Sequence, residues 1–323
     1  MAFKKVNKAE QGLGGNKIGG KFLFYGFAGS SKTYTALTFP KSAILDSETG
    51  SSFYLGQDIQ IGDKTYNNVE MVDTTANLDD LEEGLEAIID GELEGIETLI
   101  IDSETKFYNS MDIACTEVEE RKAKLAGKNV DTRAKWGRVK NINTKMSAAK
   151  ISASAQGYHV VSIAQAKEVT DEDTKQKYIG FEAHKSLPFD MDVVVYFFTK
   201  INKQTKEVEY YGEIKKDRTG VTKVGQVIQN VTYDIWKPYF DKRNGLELNG
   251  ANLSKDIKES TTSTLSDADK GEELSKEIKE LIKQTENKSA IKDKFKELGV
   301  DIKTMSEADI SKLEEIKKFI KSL

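Results

Sequence analysis

Residues 22–33 read FLFYGFAGSSKT, from Phe22 to Thr33. Four apolar or aromatic residues run into a glycine-containing turn that ends in Lys32-Thr33, and a helix-compatible run, Tyr34 to Phe39, follows. Strand, glycine-rich loop and helix in that order form a phosphate-binding loop. Each residue type has a physical task. Gly26 and Gly29 allow a tight turn that brings backbone N–H groups inward around phosphate oxygens. The helix N-terminus that follows adds free donors and partial positive charge. Lys32 can reach the β- and γ-phosphates, and the Thr33 hydroxyl can ligate magnesium. The nucleotide-contacting set is then Gly26, Phe27, Ala28, Gly29, Ser30, Ser31, Lys32, Thr33 and Tyr34. Against the usual pattern G-x-x-x-x-G-K-[ST], Ser31 stands where the second glycine belongs. A side chain there crowds the phosphates or imposes a less easy backbone angle, so the loop favours nucleotide binding over fast hydrolysis.

Outward from the loop, short apolar runs alternate with helical patterns. Residues 42–48 (SAILDSE) form a second strand that ends in acids, and Asp46 and Glu48, two apart, share a face if the chain stays extended. Residues 59–66 suggest a small hairpin and 69–73 a third strand. Residues 78–89 repeat Leu78, Leu81, Leu85, Ile88 and Ile89 at helical spacing. Thr98 to Ser103 (TLIIDS) is apolar and then acidic, the pattern of a strand buried on both faces of a parallel sheet. It has the form of a Walker B strand, whose Asp102 holds magnesium directly or through water; the other reading is an aspartate capping the next helix.

A helix is expected over 104–125. Residues 121–145 are basic and carry Trp136, with loop character around Gly127 and a helix resuming near Trp136. Such a stretch either binds phosphates and stacks bases or is a solvated helix face with one anchoring tryptophan. His159 to Gln165 is a fifth strand that places the Gln165 amide at the carboxyl edge, where open α/β sheets bind ligands. Residues 167–185 read as a mobile loop or hairpin, and Asp192 to Phe198 as a sixth strand. Glu207 to Ile214 is a seventh, antiparallel to its predecessor. Lys215 to Gly220 (KKDRTG) follows. Its cations serve a nucleotide of the same or a neighbouring subunit, or form an ordinary basic turn.

Composition narrows the classes. The chain has 323 residues and a net charge of −5, so a nucleic-acid surface has to be a local basic patch. One cysteine, Cys115, cannot build a disulfide framework or a cysteine zinc cluster, and two histidines are too few for a histidine metal site. No apolar run is long enough to span a membrane, which points to a cytoplasmic protein without membrane partners. The organisation expected is a flexible segment over 1–20, a core over 21–250, a Ser/Thr-rich linker over 251–271 and a helical module over 272–323. The module reads as three amphipathic helices, with Ser306 and Asp309 in a capping arrangement before the last. Strand–helix alternation behind the first loop specifies an α/β fold with a mostly parallel central sheet.

Two further segments narrow the type. SAILDSETGSSFYLG resembles the RecA family, whose second strand ends in an acid-x-Glu pattern, and Glu48 matches the glutamate that activates the attacking water. LIIDSET resembles the RecA-type Walker B, with Asp102-Ser103 as its Asp-Ser pair. Gln165 matches the family's γ-phosphate-sensing glutamine, and Lys216 and Arg218 match the element that reaches an adjacent subunit's nucleotide. Order and spacing agree from about residue 20 to 240. The compact size resembles phage-encoded RecA-like ATPases: Sak-type single-strand annealing recombinases and related phage AAA nucleotide-binding proteins.

The resemblance implies a RecA-like P-loop NTPase core that binds ATP and Mg²⁺ and acts on single-stranded DNA in phage recombination or replication, in the host cytoplasm. It implies catalytic roles for Lys32, Glu48, Gln165, Lys216 and Arg218, and magnesium ligation by Thr33 and Asp102. DNA would meet residues 121–136 and 167–186, and a homo-oligomer follows if Lys216 and Arg218 act in trans. The alternative is a nucleotide-binding switch or assembly protein that does not hydrolyse and binds a protein partner through 272–323. A small-molecule kinase ranks last, because it leaves Glu48 and Gln165 without a task.

Overall fold

The computed structural model describes residues 17–171, 173–248, 250–264, 267–285, 287–302 and 304–323. Residues 1–16, most of the segment expected to be flexible, lie outside the described residues. Residues 17–20 are tied to the core: the Lys17 N–H donates to Glu247 O (2.7 Å), Gly19 N–H to Ser154 O (2.8 Å) and Gly20 N–H to His159 Nδ1 (2.9 Å). The chain divides into two compact units between Ser254 and Lys255.

In chain order the first unit holds β1 (Lys21–Gly26), α1 (Lys32–Ala36), β2 (Ser42–Asp46), β3 (Ile59–Ile61), β4 (Lys64–Tyr66), β5 (Val69–Thr74), α2 (Leu78–Ile89) and β6 (Thr98–Asp102). It continues with α3 (Glu104–Ala126), α4 (Thr132–Ala155), β7 (His159–Thr170), β8 (Lys177–Phe181), α5 (Leu187–Asp190), β9 (Val193–Ile201), β10 (Val208–Asp217), β11 (Val227–Gln229) and α6 (Lys237–Asp241). The main sheet runs β11-β10-β9-β1-β7-β6-β2-β5, with β8 paired to β7, while β3 and β4 form a separate hairpin. From β9 to β5 every pairing is parallel; β8, β10 and β11 pair antiparallel. The expected α/β class with a mostly parallel central sheet is therefore the one observed.

β1 is buried along its whole length, and its alternation feeds two cores. Phe22 and Phe24 point into a cluster with Leu37, Phe39, Trp236 and Phe240. Leu23 and Tyr25 face Leu187, Met191 and Val194. Farther along the sheet, Leu45, Leu99, Ile101 and Val160 pack against Leu81, Leu85, Phe107 and Met146 of α2, α3 and α4. Helices thus cover the sheet, and all its parallel strands end at one exposed edge.

Several local expectations change. α1 stops at Ala36 rather than continuing to Phe39: beyond it Thr38 N–H and Phe39 N–H tighten onto Thr35 O (3.2 Å) and Ala36 O (3.1 Å) before Pro40. The basic stretch 121–136 is mainly helical: α3 runs to Ala126, Gly127 (φ 60°) closes it with Lys128 N–H on Ala123 O (2.9 Å), and Asp131 caps α4. The loop is only the tip of a helical hairpin. β7 and β8 pair as a hairpin, from Ala166 opposite Phe181 to Thr170 opposite Lys177, residue 172 lying outside the described residues.

The second unit is a small helical body. α7 (Leu253–Thr264) and the start of α8 (Asp267–Gln284) occupy the stretch expected as a linker, residues 265–266 lying outside the described residues. Together with α9 (Lys288–Glu297) and α10 (Ile310–Lys321), α8 encloses Ile278, Ile291, Phe295, Leu313, Ile316 and Ile320, and Met305 and Val300 from the connections complete that core. Asp309, not Ser306, caps α10, accepting from Ser311 N–H at 2.9 Å; Ser306 lies in a short 3₁₀ turn over Met305–Glu307.

Candidate nucleotide site

Gly26, Gln165, Asp102 and Asp46 end β1, the sheet portion of β7, β6 and β2 on the same edge, with Gly26 level with Gln165 and Asp46 level with Asp102. A loop from Phe27 to Ser31 then arches to α1. Gly26 is required by space: a Cβ there would lie 2.4 Å from Phe197 O and 2.5 Å from Ser30 Oγ. Gly29 is required by conformation (φ 69°), and so would be a glycine at 31, because Ser31 sits at φ 73°, ψ 17°. The departure in sequence is therefore a left-handed serine, and no side-chain cap bond from it supports α1. The Ser30 hydroxyl braces the loop on Phe27 O (2.7 Å), and Lys32 Nζ folds onto the same carbonyl (3.0 Å). Burial pushes the Lys32 ammonium below its ordinary value, against the pull of Asp102 and Glu48.

The Thr33 hydroxyl donates to Asp102 Oδ2 at 2.7 Å across 69 residues of chain. Asp102 is 7% exposed, and burial pushes its carboxyl up to about 6, with Glu48 and Asp46 adding to the rise and the Thr33 hydrogen bond and Lys32 opposing it. Asp102 does not cap α3; Ser103 occupies that position. A hard hydroxyl oxygen and a buried carboxylate short of positive charge fit Mg²⁺, which keeps several waters and phosphate oxygens and takes one or two protein ligands. A closed metal cage is not offered: among the described residues no group of three or more His, Cys, Asp or Glu could hold an ion.

Asp46 and Glu48 do not share an extended face. β2 ends at Asp46, whose buried carboxylate accepts from Glu48 N–H (2.9 Å) and Ser51 N–H (2.6 Å) and so turns the chain. Glu48 is consequently carried off the strand, exposed, beside the end of β7. Its Oε1 accepts from Gln165 Nε2 and from Ser103 Oγ, each at 2.9 Å. Ser47 locks this corner: its N–H and hydroxyl donate to Asp102 O, and its Oγ accepts from Ser103 N–H (2.8 Å). Ser47 and Tyr54 were not singled out from sequence, and Ser103 was named there only as half of the Asp-Ser pair, without its bond to Glu48. The only trace of Tyr54 is the apolar Phe53-Tyr54-Leu55 run; its ring meets Tyr34 edge-on at 5.4 Å, and burial raises its phenol to about 12.

Lys216 and Arg218 are not brought to this site. β10 runs antiparallel to β9, which places Lys216 opposite Val194 and Gly212 opposite Phe197, the residue level with Gly26. Lys216 is thus four residues, roughly 13 Å, along the strand from the level of the loop, at about 3.3 Å per residue. The same-subunit reading of the pair is corrected. Lys216 Nζ donates to Pro188 O (2.6 Å) and Phe189 O (3.0 Å), Arg218 Nη2 to Phe189 O (3.1 Å), and Asp217 pins the turn through Thr219, Thr222 and Trp236. His159 is a strand-start residue as expected, and its Nδ1 and Nε2 engage Gly20 N–H and the Tyr233 hydroxyl.

Taken together, the parallel sheet, the glycine loop at the end of β1 and the Thr33–Asp102 pair define a P-loop nucleotide-binding protein of the ATPase class. The chain belongs to the AAA domain family (AAA_24), whose model matches residues 18–225. No curated protein matches the chain. Among solved structures it is similar to the RadB recombinase, at 13% identity over 67% of this chain and 88% of that one, with a TM-score of 0.39. It is also similar to a KaiC-like protein from the hyperthermophilic archaeon Pyrococcus horikoshii OT3, at 15% identity over 67% and 87% of the two chains, TM-score 0.40. Among the described residues no helix is long and apolar enough to cross a membrane.

Proposed function

We propose that the protein is a RecA-like ATPase that binds single-stranded DNA and acts in phage recombination or replication. The observation that carries this reading is the shared oxygen of Glu48, which accepts from Gln165 Nε2 and Ser103 Oγ at 2.9 Å each. An exposed carboxylate at the nucleotide edge, oriented by two donors, suits a general base, and Gln165 lies where β7 leaves the sheet for the exposed β7–β8 hairpin. In this reading the loop 26–33 holds the ATP phosphates, with Lys32 leaving Phe27 O to reach the terminal ones. Thr33 and Asp102 anchor Mg²⁺. The bound ion neutralises phosphate charge. Glu48 orients the attacking water, and Gln165 senses the γ-phosphate. Lys216 and Arg218, at the opposite end of the sheet, would serve a second copy's nucleotide in a homo-oligomer, a role that arginine fingers fill with about 10³–10⁵ in rate.

The tip of the α3–α4 hairpin is the DNA surface best supported. Lys124, Lys128, Arg133 and Lys140 are exposed and in no ion pair among the described residues, and Trp136 is 49% exposed. Free cations around an exposed aromatic suit a flexible polyanion with stacking bases. The β7–β8 hairpin contributes Lys167, Lys175 and Lys177, offset by Glu168, Asp171 and Asp173.

ATP hydrolysis by the purified protein, with and without single-stranded DNA at low and moderate salt, tests this. Stimulation by DNA supports the reading; DNA binding that is absent at low salt excludes it. Ser31 at φ 73° favours a second reading, a non-hydrolysing nucleotide switch acting through the C-terminal helices on a protein partner. Nucleotide binding without turnover in either condition would select it.

A further inference from the structure

Thr105 is 1% exposed and lies in the first turn of α3, three residues beyond Asp102. Its hydroxyl makes two hydrogen bonds at once. It donates to Glu182 O (2.6 Å) and accepts from Gln165 N–H (2.9 Å). Gln165 and Glu182 are the two feet of the β7–β8 hairpin, and Glu182 N–H donates to Gln165 O (2.8 Å) to close its base. Every other residue pair of the hairpin, Ala166 with Phe181 to Thr170 with Lys177, projects beyond this point.

Gln165 is thereby held twice, by its amide side chain on Glu48 and by its backbone on Thr105. The same short segment, 102–105, carries Asp102 to Thr33, Ser103 to Glu48, and Thr105 to both feet of the hairpin. Asp102 ends β6, Ser103 is the N-cap of α3 and Thr105 lies in its first turn, so strand end and helix start are joined directly. A shift of Asp102, were the Thr33 hydroxyl to exchange it for another partner, would reach Thr105 across only two residues, Ser103 and Glu104. The hydroxyl also satisfies the part-buried Gln165 N–H, a structural role, so the test needs a nucleotide-dependent readout that a structural role alone would not move.

We infer that Thr105 is a positioning residue through which the state of the nucleotide loop sets the order of the β7–β8 hairpin. This rests on the reading that residues 26–33 bind nucleotide. The occupied loop moves the first turn of α3, and Thr105 transmits the movement to Gln165 and Glu182 together, so the hairpin responds as a unit.

The test is amide hydrogen exchange over residues 166–181 of the full chain, with and without magnesium and a non-hydrolysable ATP analogue. The wild type is expected to change its exchange by about fivefold or more, the lower range of measured couplings between sites. Thr105→Val keeps the shape but not the hydroxyl. It is expected to bind the analogue with unchanged Kd and to lose the change in exchange, and Thr105→Ser is expected to restore it. Thr105→Ala, which also lacks the hydroxyl, must behave like the valine variant and stands in for it if valine does not fold. A hydroxyl-free variant that keeps the nucleotide-dependent change overturns the inference. Wild-type protein that binds the analogue with no change in the hairpin overturns it too, and leaves the ATPase reading standing. Wild-type protein that fails to bind overturns both.

Discussion

Replacing Asp102 by asparagine should stabilise the protein, by an amount that depends on pH in a calculable way. Asp102 is buried at 7% exposure, and its carboxyl rises from the ordinary 3.8 to about 6. The raised value means that the folded state holds the proton more tightly than the unfolded chain. The associated stability is fully present below 3.8 and is lost as pH rises through about 6. At about 1.4 kcal/mol per pH unit, ionised Asp102 costs the fold about 3 kcal/mol at pH 8 and about 1 kcal/mol at pH 4.5. Asparagine keeps an acceptor for the Thr33 hydroxyl and carries no charge, so Asp102→Asn removes this cost. The assay is urea unfolding followed by tryptophan fluorescence, because both tryptophans, Trp136 and Trp236, lie in the first unit and Trp236 is wholly buried. The difference between variant and wild type should grow by about 2 kcal/mol from pH 4.5 to pH 8. A constant difference, or a variant less stable at pH 8, would show that Asp102 is not a buried charge held for a cation. Added magnesium and ATP should narrow the gap, since ligand binding stabilises only the protein that keeps the carboxylate.

Other perturbations follow from the same geometry. Ser31→Gly removes a left-handed serine, worth about 1–2 kcal/mol, and adds unfolded-chain entropy worth about 0.4–1, so thermal unfolding should show a net gain of about 0.5–1 kcal/mol. The same variant should hydrolyse ATP faster; unchanged turnover would clear Ser31 as the brake. Lys32→Ala should abolish binding of a fluorescent ATP analogue, and wild-type affinity in that variant would remove the phosphate-loop assignment. Glu48→Gln should keep ATP binding and lose about 10²-fold or more in turnover, as for a missing general base. His159 is held neutral, its imidazole pushed down to about 3 by burial, so its contribution is present above 6.5 and lost as pH falls below that value. Between about pH 7 and pH 5 the loss is about 2 kcal/mol, partly masked by the opposite trend of Asp102. His159→Gln should flatten this limb in denaturation at stepped pH, and an unaltered slope would refute the assignment.

The sequence alone determined what depends on neighbours along the chain. A run such as Thr98 to Asp102 is long and apolar enough to be a buried strand wherever it lies, and α2 takes the bounds 78–89 that its periodicity shows. The glycine loop before Lys32-Thr33 is likewise a local code, because its turn needs small residues at set offsets. Tertiary structure decided everything that joins distant segments. Glu48 reaches Gln165 across 117 residues only because β2, β6 and β7 stand side by side, with Asp46 and Asp102 level with Ile163, and because buried Asp46 bends the chain after β2. No spacing rule signals that Thr105 spans the feet of a hairpin 60 and 77 residues away, since a threonine near a helix start is ordinary in sequence. The antiparallel strand that carries Lys216 and Arg218 was legible in sequence, but its place beside β9, next to β1, was not. Their strand runs antiparallel at the side of β9, so the pair ends at the edge opposite the phosphate loop. Local patterns are set by side-chain size and backbone freedom over a few residues, whereas the site is set by sheet order, which only the packed chain expresses.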